Sequence, residues 1–128
     1  MNKTHYEVVV GIIKKDQKIL CCQRKDIGEC GLKWEFPGGK IEKHETKEKA
    51  LIRELKEELD VIIQVDDFIT TVQHEYDTFS VTLHIYYCTI LKGEPKLIVH
   101  NKLMWCDIDK LKMLDFVKAD YQFLDLLK

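Results

Sequence analysis

The sequence predicts one α+β domain, residues 1–128, built around a mixed β-sheet. Its length of 128 residues suits a single domain with its own core. Apolar and β-branched runs separated by turn residues predict strands over most of the chain. The apolar period changes to that of a helix near Thr46, and a second, shorter helical segment ends the chain.

The first forty residues predict a hairpin, a loop and a turn. The runs YEVVVGII (6–13) and KILCCQ (18–23) are separated by the polar KKDQ, as is typical of two paired strands. A polar loop, RKDIGECGLK, follows. The PGG of WEFPGGK (34–40) predicts a sharp turn.

An amphipathic helix is predicted over residues 46–60. Leu51, Leu55 and Leu59 recur every four residues and define its apolar face. Thr46 is the predicted N-cap. Asp60 is predicted to end the helix, because aspartate tolerates the left-handed conformation better than most residues other than glycine.

Strands and a short helix are predicted after this helix. The predicted strands are VIIQV (61–65), FITTVQHEY (68–76), SVTLHIYYCTIL (80–91) and KLMWCDI (102–108), with the second and third of these paired. From about Lys118 the pattern indicates a short helix that turns Phe123, Leu124 and Leu127 inward.

Charge and composition narrow the class of protein. The 20 basic and 22 acidic residues give a net charge of −2, without the basic excess expected of a protein that binds a nucleic-acid polymer. The chain has neither a signal-peptide pattern nor an apolar run long enough to span a membrane, so we expect a cytoplasmic protein without a membrane partner. Oligomeric state is not determined by these features.

Five cysteines are scattered along the chain, and their number and spacing argue against a disulfide framework or a zinc site. The number is odd and no C-x-x-C occurs. We expect reduced thiols that pack as small hydrophobic side chains. These cysteines are Cys21, Cys22, Cys30, Cys88 and Cys106.

Three glutamates crowd one face of the predicted helix. Glu54, Glu57 and Glu58 stand at i, i+3 and i+4, beside the leucine face, where like charges repel. A solvated acidic face balanced by nearby lysines is the ordinary interpretation. The PGG segment, which allows a close backbone approach to a ligand, favours a hard divalent cation such as Mg²⁺ instead.

The spacing of these residues resembles the signature of the Nudix hydrolase family. The pattern is glycine, five residues, glutamate, seven residues, then Arg-Glu-aliphatic-x-Glu-Glu, and it is carried by Gly39, Glu45, Arg53, Glu54, Leu55, Glu57 and Glu58. The segments CQRKDIGECGLKWEFPGGKIE and LMWCDIDKL…KADYQFLDLL resemble the MutT and CTG-pyrophosphohydrolase branch. The resemblance implies an α/β/α sandwich around a central mixed sheet.

The resemblance also implies a chemistry and a set of site residues. The chemistry is Mg²⁺-dependent hydrolysis of a small-molecule nucleoside triphosphate to monophosphate and pyrophosphate, with Mn²⁺ as a substitute metal. The implied metal ligands are Glu54, Glu57, Glu58 and the Gly38 carbonyl, with Glu54 as the candidate general base. Arg24 and Lys40 match phosphate-binding positions, and Phe36 and Asp120 match the base pocket. Arg53 and Glu45 are expected to pair and orient the helix.

Three positions depart from the family pattern. Asp60 and His44 each stand where a glycine is common. Val99 stands where members often carry a further metal-associated glutamate, and His100 follows it on a segment we expect to be extended. Whether Val99 lowers activity, and how many metal ions bind, are not determined by the sequence.

Three functional hypotheses remain open at this point. The first is a diphosphatase that sanitises oxidised or modified dNTPs such as 8-oxo-dGTP. The second keeps the chemistry and changes the base to a pyrimidine, as in dCTP. The third is a Nudix domain that binds nucleotide and metal without turnover.

Overall fold

The computed structural model describes residues 3–128, so residues 1 and 2 of the predicted domain lie outside the described residues. Within 3–128 the chain forms seven strands, one α-helix and three short 3-10 helices. The strands are β1 (Thr4–Lys15), β2 (Lys18–Gln23), β3 (Trp34–Glu35), β4 (Gly38–Lys40), β5 (Ile62–Glu75), β6 (Phe79–Lys92) and β7 (Lys102–Asp107). The α-helix, α1, spans Lys47–Leu59, and the 3-10 helices span Ile108–Met113, Lys118–Gln122 and Leu124–Leu126.

The strands form a mixed sheet, as predicted. The order is β3-β2-β1-β6-β5, while β4 pairs with β1 and β7 pairs with β2. The β1–β6 pair is parallel and the other pairs are antiparallel. The predicted hairpin is present, but β1 and β2 pair only at their turn, through Lys14 with Ile19 and Lys15 with Lys18. Strand β2 is therefore free to pair with β3 at Cys22 and Gln23, while β7 pairs with β2 along its whole length.

Two apolar cores cover the two faces of the sheet, because successive side chains of a strand point to opposite faces. The leucines of α1 pack with Val9 and Ile13 on one face. Val10 and Ile12 face the other side, where the C-terminal 3-10 helices bring Phe123 into the core. The structure confirms the α+β class and the sandwich arrangement.

The ends of α1 follow the prediction. The Thr46 hydroxyl accepts the Lys49 backbone N–H at 3.2 Å. Asp60 adopts φ 55° and ψ 44°, in the left-handed region. Its carboxylate pairs with Lys56 and with Lys96, which lowers the pKa of Asp60 to about 2. His44, just before the helix, is also left-handed, with φ 68°.

The predicted sharp turn is limited to a bend at Pro37, between β3 and β4, and the two glycines are not part of it. Gly38 and Gly39 lie in β4, paired with Val10 and Val9 of β1. A Cβ atom at Gly38 would collide with the Val9 carbonyl oxygen, and one at Gly39 with the Glu54 carboxylate. The Val9 backbone thus requires a glycine at position 38, whereas Gly39 leaves room for the Glu54 side chain. Neither residue has a positive φ.

Two predicted segments differ in detail. The predicted C-terminal helix is two 3-10 helices, interrupted at Phe123, where φ is −127° and ψ is 0°. Phe123, Leu124 and Leu127 are nevertheless buried, as predicted. The predicted strands 61–65 and 68–76 are one strand, β5, because β-bulges absorb the break in alternation between Val65 and Thr70.

All five cysteines are free and buried, which confirms that they pack as small apolar side chains. Burial raises the pKa of the Cys21 and Cys22 thiols far above the ordinary value. Among residues 3–128, no helix is long and apolar enough to cross a membrane.

Candidate active site

A cavity of about 580 Å³ opens beside β4, between α1 and the C-terminal 3-10 helices. Tyr6, Val8 and Val10 of β1 form part of its apolar wall. Most of the predicted site residues also line it: Arg24, Phe36, Gly38, Lys40, Glu54, Glu58 and Asp120. Of the predicted set, Glu57 alone is absent from the lining.

Two carboxylates of α1 enter this cavity in a partly buried state. The Glu58 carboxylate accepts the Gly38 backbone N–H at 3.2 Å. Burial, with the neighbouring Glu35 carboxylate, raises the pKa of Glu58 to about 8. Burial also raises the pKa of Glu54, whose side chain is 15% exposed, although Arg53 opposes the shift.

Glu57 points elsewhere. Its side chain is 59% exposed, and its two carboxylate oxygens accept from Arg53 Nη1 at 3.4 and 3.2 Å. Across residues 3–128, no group of three or more His, Cys, Asp or Glu side chains is placed to hold a metal ion. Arg53 Nη1 also donates to Glu54 at 3.0 Å, so Glu54 and Glu57 share one guanidinium nitrogen, while Glu58 bonds the Gly38 backbone instead.

Arg53 donates hydrogen bonds to several of the acidic side chains on and next to α1. It donates to Glu45 from Nε at 2.6 Å and from Nη2 at 2.9 Å, a two-pronged pair of the kind expected from the sequence. This pair lowers the pKa of Glu45 to about 2. A further bond from Nη2 reaches the Lys40 carbonyl at 3.1 Å and ties α1 to β4.

The donor chemistry of this face fits a hard divalent cation. Glu54 and Glu58 are oxygen donors whose ionised forms are disfavoured by burial, as the raised pKa values show. Mg²⁺ prefers carboxylate oxygens together with phosphates and waters. A cation here would offset the repulsion among the glutamates and favour their ionised state.

Asp120 and Phe36 lie on a different part of the cavity wall. Asp120 is 3% exposed, and its Oδ2 atom is buried without a hydrogen-bond partner in the described chain. Burial raises its pKa well above the ordinary value. The alternative role of helix cap is excluded, because Val117 occupies the cap and no side chain caps that helix. Phe36 stacks on Phe116, with ring centroids 5.1 Å apart.

The two cations predicted to bind phosphate have different surroundings. Lys40 Nζ lies over the Tyr6 ring, 4.1 Å from its centroid. Arg24 donates from Nη1 to Glu35 at 3.0 Å, while its Nε is buried without a partner in the residues described. Both side chains line the cavity.

Sequence reasoning missed two residues near this cavity. Glu35 lies in the quoted WEFPGGK segment and lines the same cavity as the phosphate-binding and base-binding candidates. His100 was placed on an extended segment, but residues 98–101 form a bend that buries its side chain. His100 Nε2 lies 3.1 Å from Glu35 Oε2, whereas Val99 is 44% exposed. No local pattern links residues 35 and 100.

The fold and this cavity define a class: a small α+β domain whose glutamate-bearing helix borders a ligand cavity lined by aromatic and acidic side chains. The chain belongs to the Nudix family, since the NUDIX domain model matches residues 8–126. It is therefore a member of a hydrolase family that generally uses a divalent metal.

Named relatives and solved structures support the same placement. The chain is 34% identical over 119 residues to a CTP pyrophosphohydrolase of Escherichia coli (strain K12), covering 93% of this chain and 88% of the relative. It is 31% identical to the 8-oxo-dGTP diphosphatase of the same organism, covering 95% of each. A solution structure of MutT from methicillin-resistant Staphylococcus aureus 252 is 43% identical, with a TM-score of 0.77 and coverage of 97% and 95%.

Proposed function

We propose that this protein hydrolyses nucleoside triphosphates to the monophosphate and pyrophosphate, with Mg²⁺ as cofactor and Mn²⁺ as a substitute. One observation carries the proposal. A single cavity brings together the α1 carboxylates, Arg24 and Lys40, and the buried Asp120 beside Phe36. Metal-binding, phosphate-binding and base-binding groups thus border one space that is large enough for a nucleotide.

Each residue has a distinct proposed role. Glu54 and Glu58, with the Gly38 carbonyl, would hold the cation, and Glu57 would join them on releasing its contact with Arg53. The cation would supply charge neutralisation and lower the pKa of water. Glu54 is the general base, because it is half-buried on a rigid helix and its raised pKa suits proton acceptance. Lys40 acts on the phosphates as a point charge, and Arg24 as a planar donor.

The proposed substrate is a free nucleotide, with 8-oxo-dGTP or a related modified dNTP as the first candidate. A relative with that activity in its name covers 95% of this chain. Asp120 supports base discrimination, because a buried carboxyl with a raised pKa can donate as well as accept a hydrogen bond. Removing damaged triphosphates would protect DNA synthesis, and we place this activity in the cytoplasm.

A pyrimidine triphosphate is the second candidate. The E. coli relative named CTP pyrophosphohydrolase covers 93% of this chain. Cytosine carries an exocyclic amino group, and the unpartnered Asp120 Oδ2 would accept a hydrogen bond from it. The two candidates place different hydrogen-bonding edges against the same carboxyl, so a substrate comparison separates them.

A panel of triphosphates tests the proposal. We expect pyrophosphate release from 8-oxo-dGTP, dGTP, CTP or dCTP with Mg²⁺, and none after addition of a chelator. Glu58→Gln is expected to lose most of this activity while retaining helix content by circular dichroism, because the amide can still accept from Gly38. Failure of every triphosphate, with nucleotide binding intact, would instead support a binding domain without turnover.

Asp120→Ala identifies the base-recognising group in the same panel. We expect the preference among triphosphates to flatten, with a smaller effect on turnover at saturating substrate. An equal loss on every substrate, together with a lower melting temperature, would assign Asp120 a structural role only.

A further inference from the structure

Three polar side chains from distant parts of the sequence meet where β2 ends. Arg24 directly follows β2, and Glu35 belongs to β3, which pairs with β2 on one side. His100 precedes β7, which pairs with β2 on the other side. The Asn101 backbone N–H donates to the Gln23 carbonyl at 2.8 Å and anchors the bend that carries His100.

Both oxygens of the Glu35 carboxylate are engaged in this cluster. Oε1 accepts from Arg24 Nη1 at 3.0 Å, and Oε2 lies 3.1 Å from His100 Nε2. Since the carboxylate paired with the arginine is an acceptor, the ring nitrogen facing it is the donor. Each carboxylate oxygen thus has its own partner.

His100 lies behind the cavity wall, whereas Glu35 and Arg24 line the cavity. Its side chain is 4% exposed, and its Nδ1 is buried without a partner in the chain as described. An unpartnered buried nitrogen is unfavourable, and an apolar side chain would fill the same space without that cost. The distinctive contribution of a histidine here is the bond from Nε2 to Glu35.

We propose that His100 is a positioning residue that holds Glu35, and through it Arg24, in the orientation that receives the nucleotide. The Arg24 side chain is 43% exposed and lines the cavity, so the guanidinium donors that do not bond Glu35 are available to acceptor oxygens of the substrate. The arrangement is expected to affect nucleotide affinity more than the rate of bond cleavage, because His100 contacts Glu35 and not the α1 carboxylates, although Glu35 itself neighbours Glu58. This inference rests on the proposed function, in that the ligand is a nucleotide.

Two substitutions at position 100 separate positioning from packing. His100→Leu removes the donor, and we expect KM for the preferred triphosphate to rise about two- to tenfold, the range of one lost hydrogen bond. The value of kcat is expected to change by less than about twofold. His100→Gln retains an amide donor near the Nε2 position and is expected to restore KM.

His84→Leu is the matched control. His84 is also buried, at 8% exposure, and bonds a glutamate, Glu7, at 2.9 Å on the α1 side of the sheet, away from the cavity. We expect His84→Leu to lower the melting temperature without changing KM. An equal rise in KM for His84→Leu and His100→Leu would overturn the inference.

A double-mutant cycle tests whether His100 acts through Glu35. In a Glu35→Gln background, His100→Leu is expected to change KM by less than about twofold, because the contact it removes is already weakened. A full effect of His100→Leu in that background would overturn the inference, as would a loss confined to kcat.

A measurement without turnover distinguishes failure of this inference from failure of the proposed function. Long-range ¹H–¹⁵N NMR of the wild-type imidazole is expected to show His100 protonated at Nε2. A ring protonated only at Nδ1 would overturn the positioning role even in an active enzyme. If the wild type releases no pyrophosphate from any triphosphate, the proposed function is wrong, and an Nε2–H signal would still support the Glu35 contact.

Discussion

At the scale of single residues, the environment of each acidic side chain separates roles that the sequence leaves equivalent. Glu54 and Glu58 are partly buried in the cavity, and their pKa values are raised. Glu57 is exposed and bound to Arg53, and Asp120 is buried with one oxygen unpartnered. Four carboxyl groups therefore differ in exposure and in hydrogen-bond partners.

Glu54→Gln tests the general base. A positioned base typically contributes about 10²- to 10⁴-fold to rate, so we expect kcat at saturating Mg²⁺ to fall by that range. Glu48→Gln is the control on the same helix, because Glu48 accepts from Tyr86 and lies outside the cavity lining. An active Glu54→Gln protein, combined with a large defect in His100→Ala, would transfer the base role to His100.

Asp120→Asn tests the raised pKa through stability. In the folded protein the pKa of Asp120 lies well above its ordinary value of 3.8. At a pH above about 4, the folded state therefore keeps a proton on Asp120 that the unfolded state loses. The wild type is thus expected to lose stability as pH rises above about 4, and Asp120→Asn should lose less. Melting temperatures of both proteins at pH 5 and pH 8, without metal, give the comparison. Parallel curves would contradict it.

At the scale of elements, β4 links the sheet to the acidic helix. Its two glycines allow β4 to pair with β1 while the Glu54 and Glu58 carboxylates approach its backbone. Arg53 of α1 also donates a hydrogen bond to the Lys40 carbonyl of β4, which is a further contact between the helix and this strand. The position of the α1 glutamates relative to the cavity therefore depends on the backbone of β4, Gly38–Lys40.

Gly38→Ala and Gly39→Ala distinguish two kinds of steric clash in β4: one with neighbouring backbone and one with a neighbouring side chain. The added methyl at Gly38 meets the Val9 backbone, which cannot rotate away, so we expect a loss of about 1–3 kcal/mol in unfolding free energy. At Gly39 the methyl meets the Glu54 side chain, which can rotate. Gly39→Ala is therefore expected to lose activity more than stability, measured by denaturant unfolding and pyrophosphate release. The opposite ranking would contradict this account.

At the scale of the whole molecule, one sheet joins both cores. Strand β1 contributes Val9 and Ile13 to the core under α1, and Val10 and Ile12 to the core under the C-terminal 3-10 helices. A change in one core is therefore transmitted through a strand that the other core also needs. We propose that residues 1–128 behave as a single domain.

Coincident unfolding transitions would support that proposal. Trp34 and Trp105 report on tertiary packing by fluorescence, and far-UV circular dichroism reports on backbone structure. We expect both signals to give one transition with the same midpoint in urea, as is usual for single domains below about 150 residues. Midpoints that differ beyond error, or a plateau between them, would indicate two independently unfolding parts.

The sequence by itself determined the features that depend on near neighbours. The period of Leu51, Leu55 and Leu59 and the local conformations of Thr46 and Asp60 fixed α1 and its ends. The spacing around Glu54 and Glu58 was sufficient to indicate the family. These properties depend on residues within a few positions of one another, so the chain carries them locally.

Only the tertiary structure decided which distant groups share the cavity and how each is oriented. Glu35 and His100 are 65 residues apart in the chain. They meet because β3 and β7 both pair with β2. The exposure of Glu57 and its pairing with Arg53 are seen only in the folded chain, and the placement of Gly38 in a strand depends on β1. Such contacts arise from strand pairing and burial between remote segments, which no local period or spacing encodes.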